Sequence, residues 1–569
     1  MSSELTAGAA TNLPAAAPTR LSDVVRVLLP VLTGFVLVRG YGPSIRALIE
    51  FQPQFTTAAV VGLAVVCAAF AFLRYPEGSE PARLLTVGLT IAASAYGLAL
   101  GPYFAVADAG LADQVGSALV WGTALLIPTA ALAIWRPSFA VFPFMFVVLH
   151  KELTRTVSGA THLGSSDYLP LVEVGFFLAC GLCAIALLDT VRVDTRHRRE
   201  TAYAATLLFA AAIGAHFGNY FMSGMAKVAL DGGPLSWVLH NPTSSLMLGG
   251  GNLGTAPLMA FPAVFDAVHG AFAAIEIPVN VVTLAAQLLC ALAFLHKRLL
   301  LGVTVVFDVM HVTIFALTGA MFLTWIVLNT LIVAALLRTP GSRFPPSVIL
   351  VGMLVTILGH QVFWNARLGW YDGREVRHGY FTATDVEGGE HRVPSNFFRE
   401  SSYLMLGRQF GYLEHARPSV HFPSSSWGQI GIHVTPPASA NVTNFELMER
   451  ARACTGPAGE PSLGDPKFPD HDAALAAAFI RGQHARALER QARGGIDRYD
   501  LYPHHHLSMP FLYRGFANTK PRDIVAYHYI VETVCLDSTP EGLTREVMAR
   551  SVSLPITVAP TIASAGEGE

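Results

Sequence analysis

Charge is what this chain lacks most. Only 14% of its 569 residues are Asp, Glu, Lys or Arg, against roughly 25% in an average soluble domain, and that deficit argues against an ordinary water-soluble enzyme. The formal net charge is −2 at pH 7, so no basic excess can condense on phosphates and nucleic acid is not an expected partner. Cysteine is also scarce, with six residues in all. Cys67, Cys180, Cys183 and Cys290 lie in apolar runs, which leaves only Cys454 and Cys535 in the polar C-terminal region, too far apart in sequence for a CxxC metal pair. Cys180 and Cys183 do read CxxC, but on an apolar helix they are expected to be small packing residues. No internal repeat is visible, so the inverted-repeat signature of many transporters is missing.

The charge that is present is unevenly divided. Residues 1–364 hold 35 of the 78 charged side chains and the last 205 residues hold 43, a density change of about twofold. The expected fold is a polytopic α-helical membrane protein of about eleven transmembrane helices with a C-terminal extracytoplasmic α+β domain. Its parts are a disordered tail over 1–20, a bundle over 21–364, a soluble domain over 365–557 and a short tail over 558–569. Taking roughly 20 apolar residues per crossing, spans fall near 23–40, 56–73, 84–106, 116–135, 139–150, 168–188, 202–223, 277–295, 299–317, 319–337 and 347–364. The N-terminal tail has no apolar core of its own, so the first span would serve as an uncleaved anchor.

Loop cations set the orientation, because Lys and Arg gather on the cytoplasmic side. Arg192, Arg196, Arg198 and Arg199 follow the sixth span, Lys297 with Arg298 the eighth, and Arg338 with Arg343 the tenth. This places the N-terminus in the cytoplasm and the C-terminal domain outside a plasma (inner) membrane. A Cys454–Cys535 disulfide would be chemically permitted there. Residues 224–276 form a long outer connection whose 231–257 stretch is too polar and Gly/Pro-rich to cross. A short helix follows with Phe265, His269 and Phe272 on one stripe, and the segment is expected to fold over the outer mouth of the bundle. In the soluble domain, Tyr380–Thr384 and His391–Val393 flank a Gly388-Gly389 turn and predict a hairpin. Asp470 would cap a helix over 471–492, and 524–535 predicts a strand.

An ionisable side chain inside a span costs about 2.5–3.5 kcal/mol on insertion scales and so needs a partner or a purpose. His216, Tyr220, Ser223 and Lys227 fall at steps of four, three and four along one helical stripe, with Asn219 at its edge. A lysine at the outer end can simply snorkel to water. Alternatively, apolar neighbours would favour the neutral amine, which can act as a base. His150, Lys151, Glu152, Arg155, His162, His269, Glu276 and His360 lie towards the same side, while Asp308 and His311 are three apart on one span. His504-His505-His506 reads as a polar loop, since adjacent histidines of an extended chain point alternately, and Asn441-Val442-Thr443 is formally a glycosylation sequon.

These membrane motifs, over about residues 150–340, resemble the vitamin K-dependent γ-glutamyl carboxylase family, including its bacterial HTTM (horizontally transferred transmembrane) relatives. The block Asn219–Lys227 (NYFMSGMAK) followed by Trp237 is similar to the family's YF-x-x-G-x-x-K block before a tryptophan. The stretch THLGSSDYLP resembles its Asn-His-x-Tyr-Leu segment, Val268–Glu276 its VHG followed by an acidic residue, and Phe307–Trp325 its FH-containing helix. Thr161 and Ile314 stand where the family has asparagine, and the Lys-to-Trp interval is longer here.

The resemblance implies a catalytic base at Lys227, catalytic histidines at His162 and His311, and a cofactor site including His216, Tyr220, His269 and Glu276. It implies vitamin K hydroquinone or another reduced quinone as cofactor, with O2 and CO2 as co-substrates and no metal. The implied partners are the lipid bilayer, a lipid-soluble quinol and a glutamate-containing protein or peptide. Two alternatives stand beside it: a quinol oxidoreductase or monooxygenase without glutamate carboxylation, and a non-catalytic membrane scaffold that binds a partner through its outer domain. Transport ranks last.

Overall fold

Backbone N–H and C=O groups find no partners in hydrocarbon, so long apolar runs are restricted to helices that satisfy them internally. The computed structural model describes residues 21–100, 109–157, 170–190, 195–393, 430–431, 443–455, 470–492 and 513–558. The apolar part comprises α1 (Leu21–Phe51), α2 (Thr56–Ala69), α3 (Glu80–Leu100), α4 (Ala109–Ala133), α5 (Pro137–Val157), α6 (Pro170–Thr190) and α7 (Thr195–Val228). Three short helices follow, α8 (Ser236–His240), α9 (Ser245–Leu253) and α10 (Pro262–Ala274), before α11 (Glu276–Leu289), α12 (Lys297–Thr318), α13 (Leu323–Arg338) and α14 (Pro346–Leu358). Among the described residues, seven helices are long and apolar enough to cross a membrane: α1, α3, α4, α6, α7, α11 with its 3-10 extension to Leu295, and α12. α2, α13 and α14 are shorter apolar helices.

α6 and α7 are the inner helices, and their neighbours fill the centre with rings: Phe142, Phe144 and Phe146 from α5, Phe176 and Phe177 from α6, Phe209 and Phe217 from α7. Lipid tails are as apolar as these side chains, so close packing rather than burial from water holds such helices together. Small residues make the approach possible. A Cβ on Gly214 of α7 would lie 2.6 Å from the Gly352 carbonyl oxygen of α14. Gly214→Val is therefore expected to push α7 and α14 apart and destabilise the bundle by about 1–3 kcal/mol, the usual range for overpacking. An unchanged thermal midpoint in detergent would show that the two helices have room. Cys180 and Cys183 are free thiols within α6, in keeping with a packing role.

The C-terminal region contributes a small antiparallel sheet. β2 (Glu375–Asp385) turns through Gly388 into β3 (Glu390–Arg392), and β2 also pairs with β5 (Ile524–Thr539), which pairs with β6 (Gly542–Thr557), giving the order β3-β2-β5-β6. The two-residue strands β1 (Trp370–Tyr371) and β4 (Ile430–Gly431) pair separately. Alternation along the strands sets Val376, Val534 and Leu536 on one face, where they pack with Met247, Leu248 and Phe265 from α9 and α10. On the same face the buried Glu532 carboxylate accepts from Tyr380 Oη at 2.9 Å, pairs with Arg545 at 2.6 Å and Arg550 at 3.3 Å, and Arg545 Nε reaches Asn252 of α9 at 2.7 Å. The sheet is thus fastened to α9 and α10, in the connection between α7 and α11, by apolar contact and a charge-assisted network.

Three further helices complete the region: α15 (Asn444–Ala453), α16 (Asp470–Ala492) and α17 (Arg514–Asn518). Thr443 and Glu446 form a capping box at the start of α15. Cys454, just beyond its end, is disulfide-bonded to Cys535 of β5, 81 residues away in sequence, with Cα atoms 5.7 Å apart.

Candidate functional site

The polar stripe of α7 is one continuous feature with two kinds of partner at two depths. Towards the middle, His216 Nε2 lies 2.8 Å from Asn329 Oδ1 of α13, Asn329 Nδ2 donates to Tyr220 Oη at 2.9 Å, and Tyr220 Oη lies 3.4 Å from His216 Nε2. Aromatic faces surround this triangle. Phe307 stacks on Tyr220 with ring centroids 3.6 Å apart, Trp325 meets both His216 and Tyr220 edge-on, and His311 lies 5.8 Å from Tyr220 and 5.5 Å from Trp325. His311 itself stacks on Phe322. Three of the expected site residues, His216, Tyr220 and His311, therefore converge, while Asp308 accepts from Thr330 at 3.3 Å.

Two turns further along α7, about 10 Å by helix rise, lies Lys227, which is 7% exposed. Its Nζ donates to the Leu368 carbonyl at 2.5 Å and to the Ser223 carbonyl at 3.5 Å, and sits 5.0 Å from the centre of the Trp237 ring. Among the described residues no carboxylate lies within ion-pair distance of it. The carbonyl of Leu368 belongs to a strap, residues 364–372, that leaves the end of α14 and runs back along α7. Asn219 accepts from the Ala366 N–H at 2.9 Å, the Ser223 hydroxyl donates to the Ala366 carbonyl at 3.1 Å and accepts from the Leu368 N–H at 3.2 Å, and Trp237 Nε1 donates to the Trp370 carbonyl at 2.9 Å. At Gly369 the strap touches α7 so closely that a Cβ would lie 2.5–2.6 Å from Ala226.

The strap delivers Asp372, buried beside Asn241. Asn241 Nδ2 donates to Asp372 Oδ2 at 2.8 Å, Asn241 Oδ1 accepts from the Asp372 N–H at 2.7 Å, and Trp370 Nε1 donates to Asp372 Oδ1 at 3.1 Å. Asn241 passes the network on through Thr243, at 2.7 Å, to Asn280 of α11, at 2.5 Å. Next to it, Glu276 accepts from the Ser244 N–H at 2.9 Å and from the Ser244 hydroxyl. His269 on α10 is half-buried, with Asp537, Glu276, Asp266 and Arg374 as its charged neighbours, and burial holds its pKa below the usual imidazole range. Lys227 and Glu276 are thus charged neighbours of Asp372 without hydrogen-bonding it, and His269 has Glu276 among its own. His162, the remaining expected site residue, lies outside the described residues, as do His504–His506 and Asn441 of the sequon.

No family model, curated protein or solved structure matches the chain. Asp372 is the group that sequence reasoning missed, and no local pattern marked it, because its burial depends on the strap. Asn329 could have been found: it is a lone amide in an otherwise apolar helix, where it needs a partner.

Burial pushes the Asp372 carboxyl up to about 8, with nearby Glu276 adding to the shift and the Asn241 and Trp370 donors and Lys227 opposing it. A carboxyl raised in the fold holds a proton that the unfolded chain releases at ordinary carboxylate pH. Folding stability should therefore fall as pH rises from about 4 towards about 8 and level off above it. Asp372→Asn is expected to flatten that part of the profile in thermal unfolding of the detergent-solubilised chain. An identical slope in both proteins would remove Asp372 as its source.

Proposed function

We propose that the chain is an integral membrane enzyme of the vitamin K-dependent carboxylase-like kind, in which Lys227 takes the phenolic proton of a reduced quinone arriving laterally from the bilayer. The observation that carries this reading is the setting of Nζ: buried, facing two carbonyl oxygens and an indole ring, with no carboxylate within ion-pair distance among the described residues. A neutral amine has two N–H bonds and one lone pair, so the two carbonyls satisfy its donors and leave the lone pair to accept a proton. In the protonated form the third N–H has the Trp237 ring as a favourable neighbour. Tyr220 and His216 on the same stripe, with His311 of α12 beside them, form the buried polar centre next to Lys227, their faces packed against Phe307, Trp325 and Phe322, and His162 completes the set by resemblance.

A reduced quinone supplies the reaction with oxygen and, through it, the strong base that takes a glutamate γ-proton before carbon dioxide adds. The residues of the chain hold the ring, exclude water and move the proton at Nζ. We read all eleven apolar helices as crossing a plasma (inner) membrane, with the N-terminus inside. The basic loops support one cytoplasmic side: the Lys297 N–H donates to the Ser342 carbonyl at 3.1 Å and Lys297 Nζ to the Thr339 carbonyl, which joins two of those loops. The Cys454–Cys535 bond supports an oxidising exterior for the C-terminal region.

The test is turnover by the purified full chain in lipid nanodiscs given reduced quinone, oxygen, labelled bicarbonate and a glutamyl peptide. Quinol consumption with label in the peptide is the expected result. Consumption without label favours a quinol oxidoreductase or monooxygenase. The scaffold reading draws on a different observation, that the strap engages most of the polar stripe, and absence of any quinol consumption would favour it over the enzyme.

A further inference from the structure

α10 has two apolar faces with different neighbours. Phe265 is fully buried, and Val268 and Phe272 pack beside it in the cluster that includes Val376, Val534 and Leu536 of the sheet. The flank beside that face is open. Phe261, immediately before the helix, is 65% exposed, Val264 49% and Ile275, immediately after it, 51%, with exposed Ala267 and Ala271 between them. Val264, Ala267 and Ala271 share one flank of the helix, roughly a quarter-turn round from Phe265 and Phe272, and Phe261 and Ile275 extend the exposed apolar surface at its two ends. A helix that merely covered a sheet in water would present polar residues outward, yet the only ionisable residues of α10 are Asp266 and His269, and neither belongs to that stripe. Its 13 residues rise about 20 Å, too short to cross a hydrocarbon core of about 30 Å.

The open stripe does not end at Ile275. It continues past the bend into Ile277, 50% exposed, Val281, 48%, and Val282, 60%, on α11, one of the helices long and apolar enough to cross the membrane. Lipid acyl chains are the natural cover for that side of α11, and the stripe on α10 is continuous with it. We infer that α10 lies in the plane of the bilayer surface, with Phe261, Val264, Ala271 and Ile275 against acyl chains, so that this helix holds the sheet beside the membrane surface. α10 contains no Lys or Arg, so the contact is one of apolar area and does not depend on anionic lipid. This seating is independent of the chemistry assigned to Lys227.

The experiment uses the full chain in nanodiscs of zwitterionic lipid, with a bimane fluorophore on Val264→Cys or, separately, Ala271→Cys. The labelled control is Val386→Cys on the hairpin of the outer sheet, where Val386 is 60% exposed, and unlabelled wild-type treatment gives the background from native thiols. Lipid brominated on the upper acyl carbons should quench emission from positions 264 and 271 but not 386, and aqueous iodide should do the reverse, with a several-fold difference in quenching between the sites. Adding anionic lipid should change neither pattern. Iodide reaching 264 and 271 as readily as 386 would overturn the seating, because it would place the stripe in water. Protection from both quenchers would overturn it too, by showing protein on that face, and so would acyl quenching that appears only with anionic lipid.

Discussion

Lys227→Met is expected to lower quinol-dependent turnover by about 10²–10⁴-fold, the usual contribution of a positioned acid or base. Methionine keeps most of the stem beside Trp237 but has no proton-accepting nitrogen. It also leaves the Leu368 carbonyl without the donor that now sits 2.5 Å away, and an unsatisfied buried acceptor costs about 1–3 kcal/mol. The two effects can be separated. Ser223→Ala also removes strap hydrogen bonds, to the Ala366 carbonyl and from the Leu368 N–H, while leaving the amine in place. Under the base reading, Ser223→Ala lowers the thermal midpoint but keeps most turnover, whereas Lys227→Met loses turnover even at temperatures where it is fully folded. If activity instead tracks stability in both variants, Lys227 is a strap anchor and the base lies elsewhere.

Removing the disulfide should have the largest effect on stability. A cross-link spanning 81 residues restricts the unfolded chain by about 4.5 kcal/mol on loop-entropy grounds. Cys535 sits in β5, at the centre of the sheet between β2 and β6, so the loss is expected where the sheet is built. Cys454→Ser combined with Cys535→Ser should accelerate hydrogen exchange in β5 and β6 while α6 and α7, packed within the bundle, keep their protection. The same result should follow from reducing the wild-type protein. Unaltered exchange in β5 would mean that the network around Glu532 and the contact with α9 and α10 hold the sheet without the cross-link.

The features legible in the sequence were those encoded by neighbouring residues. The Gly388 turn, the helix from Asp470 and the strand from Ile524 all occur where local pattern puts them, and the apolar runs become helices because lipid permits little else. Boundaries moved where tertiary contacts extend an element: β5 continues past Cys535 to Thr539 because β6 pairs with it as far as Gly542. α8 and α9 form within a Gly/Pro-rich stretch read only as a connection too polar to cross, because α8 packs with Leu284 of α11, Tyr371 and Met448 while α9 lies between α12 and the sheet. The α7 stripe could be drawn from spacing alone, but its partners could not. Asn329 is 113 residues from His216, and Leu368 is 141 from Lys227, so no window of sequence joins them.

The strap makes the break in composition a poor place to divide the molecule. Charge density changes near residue 364, yet the next eight residues are bound to Asn219, Ser223, Lys227, Trp237 and Asn241. Severing the chain there would strand polar groups on both pieces, leaving Asp372 without its cover and α7 with an unmatched stripe. A C-terminal region exchanged between bundles would have to bring this strap and a matching α7 with it, so the two parts are expected to be inherited as a pair.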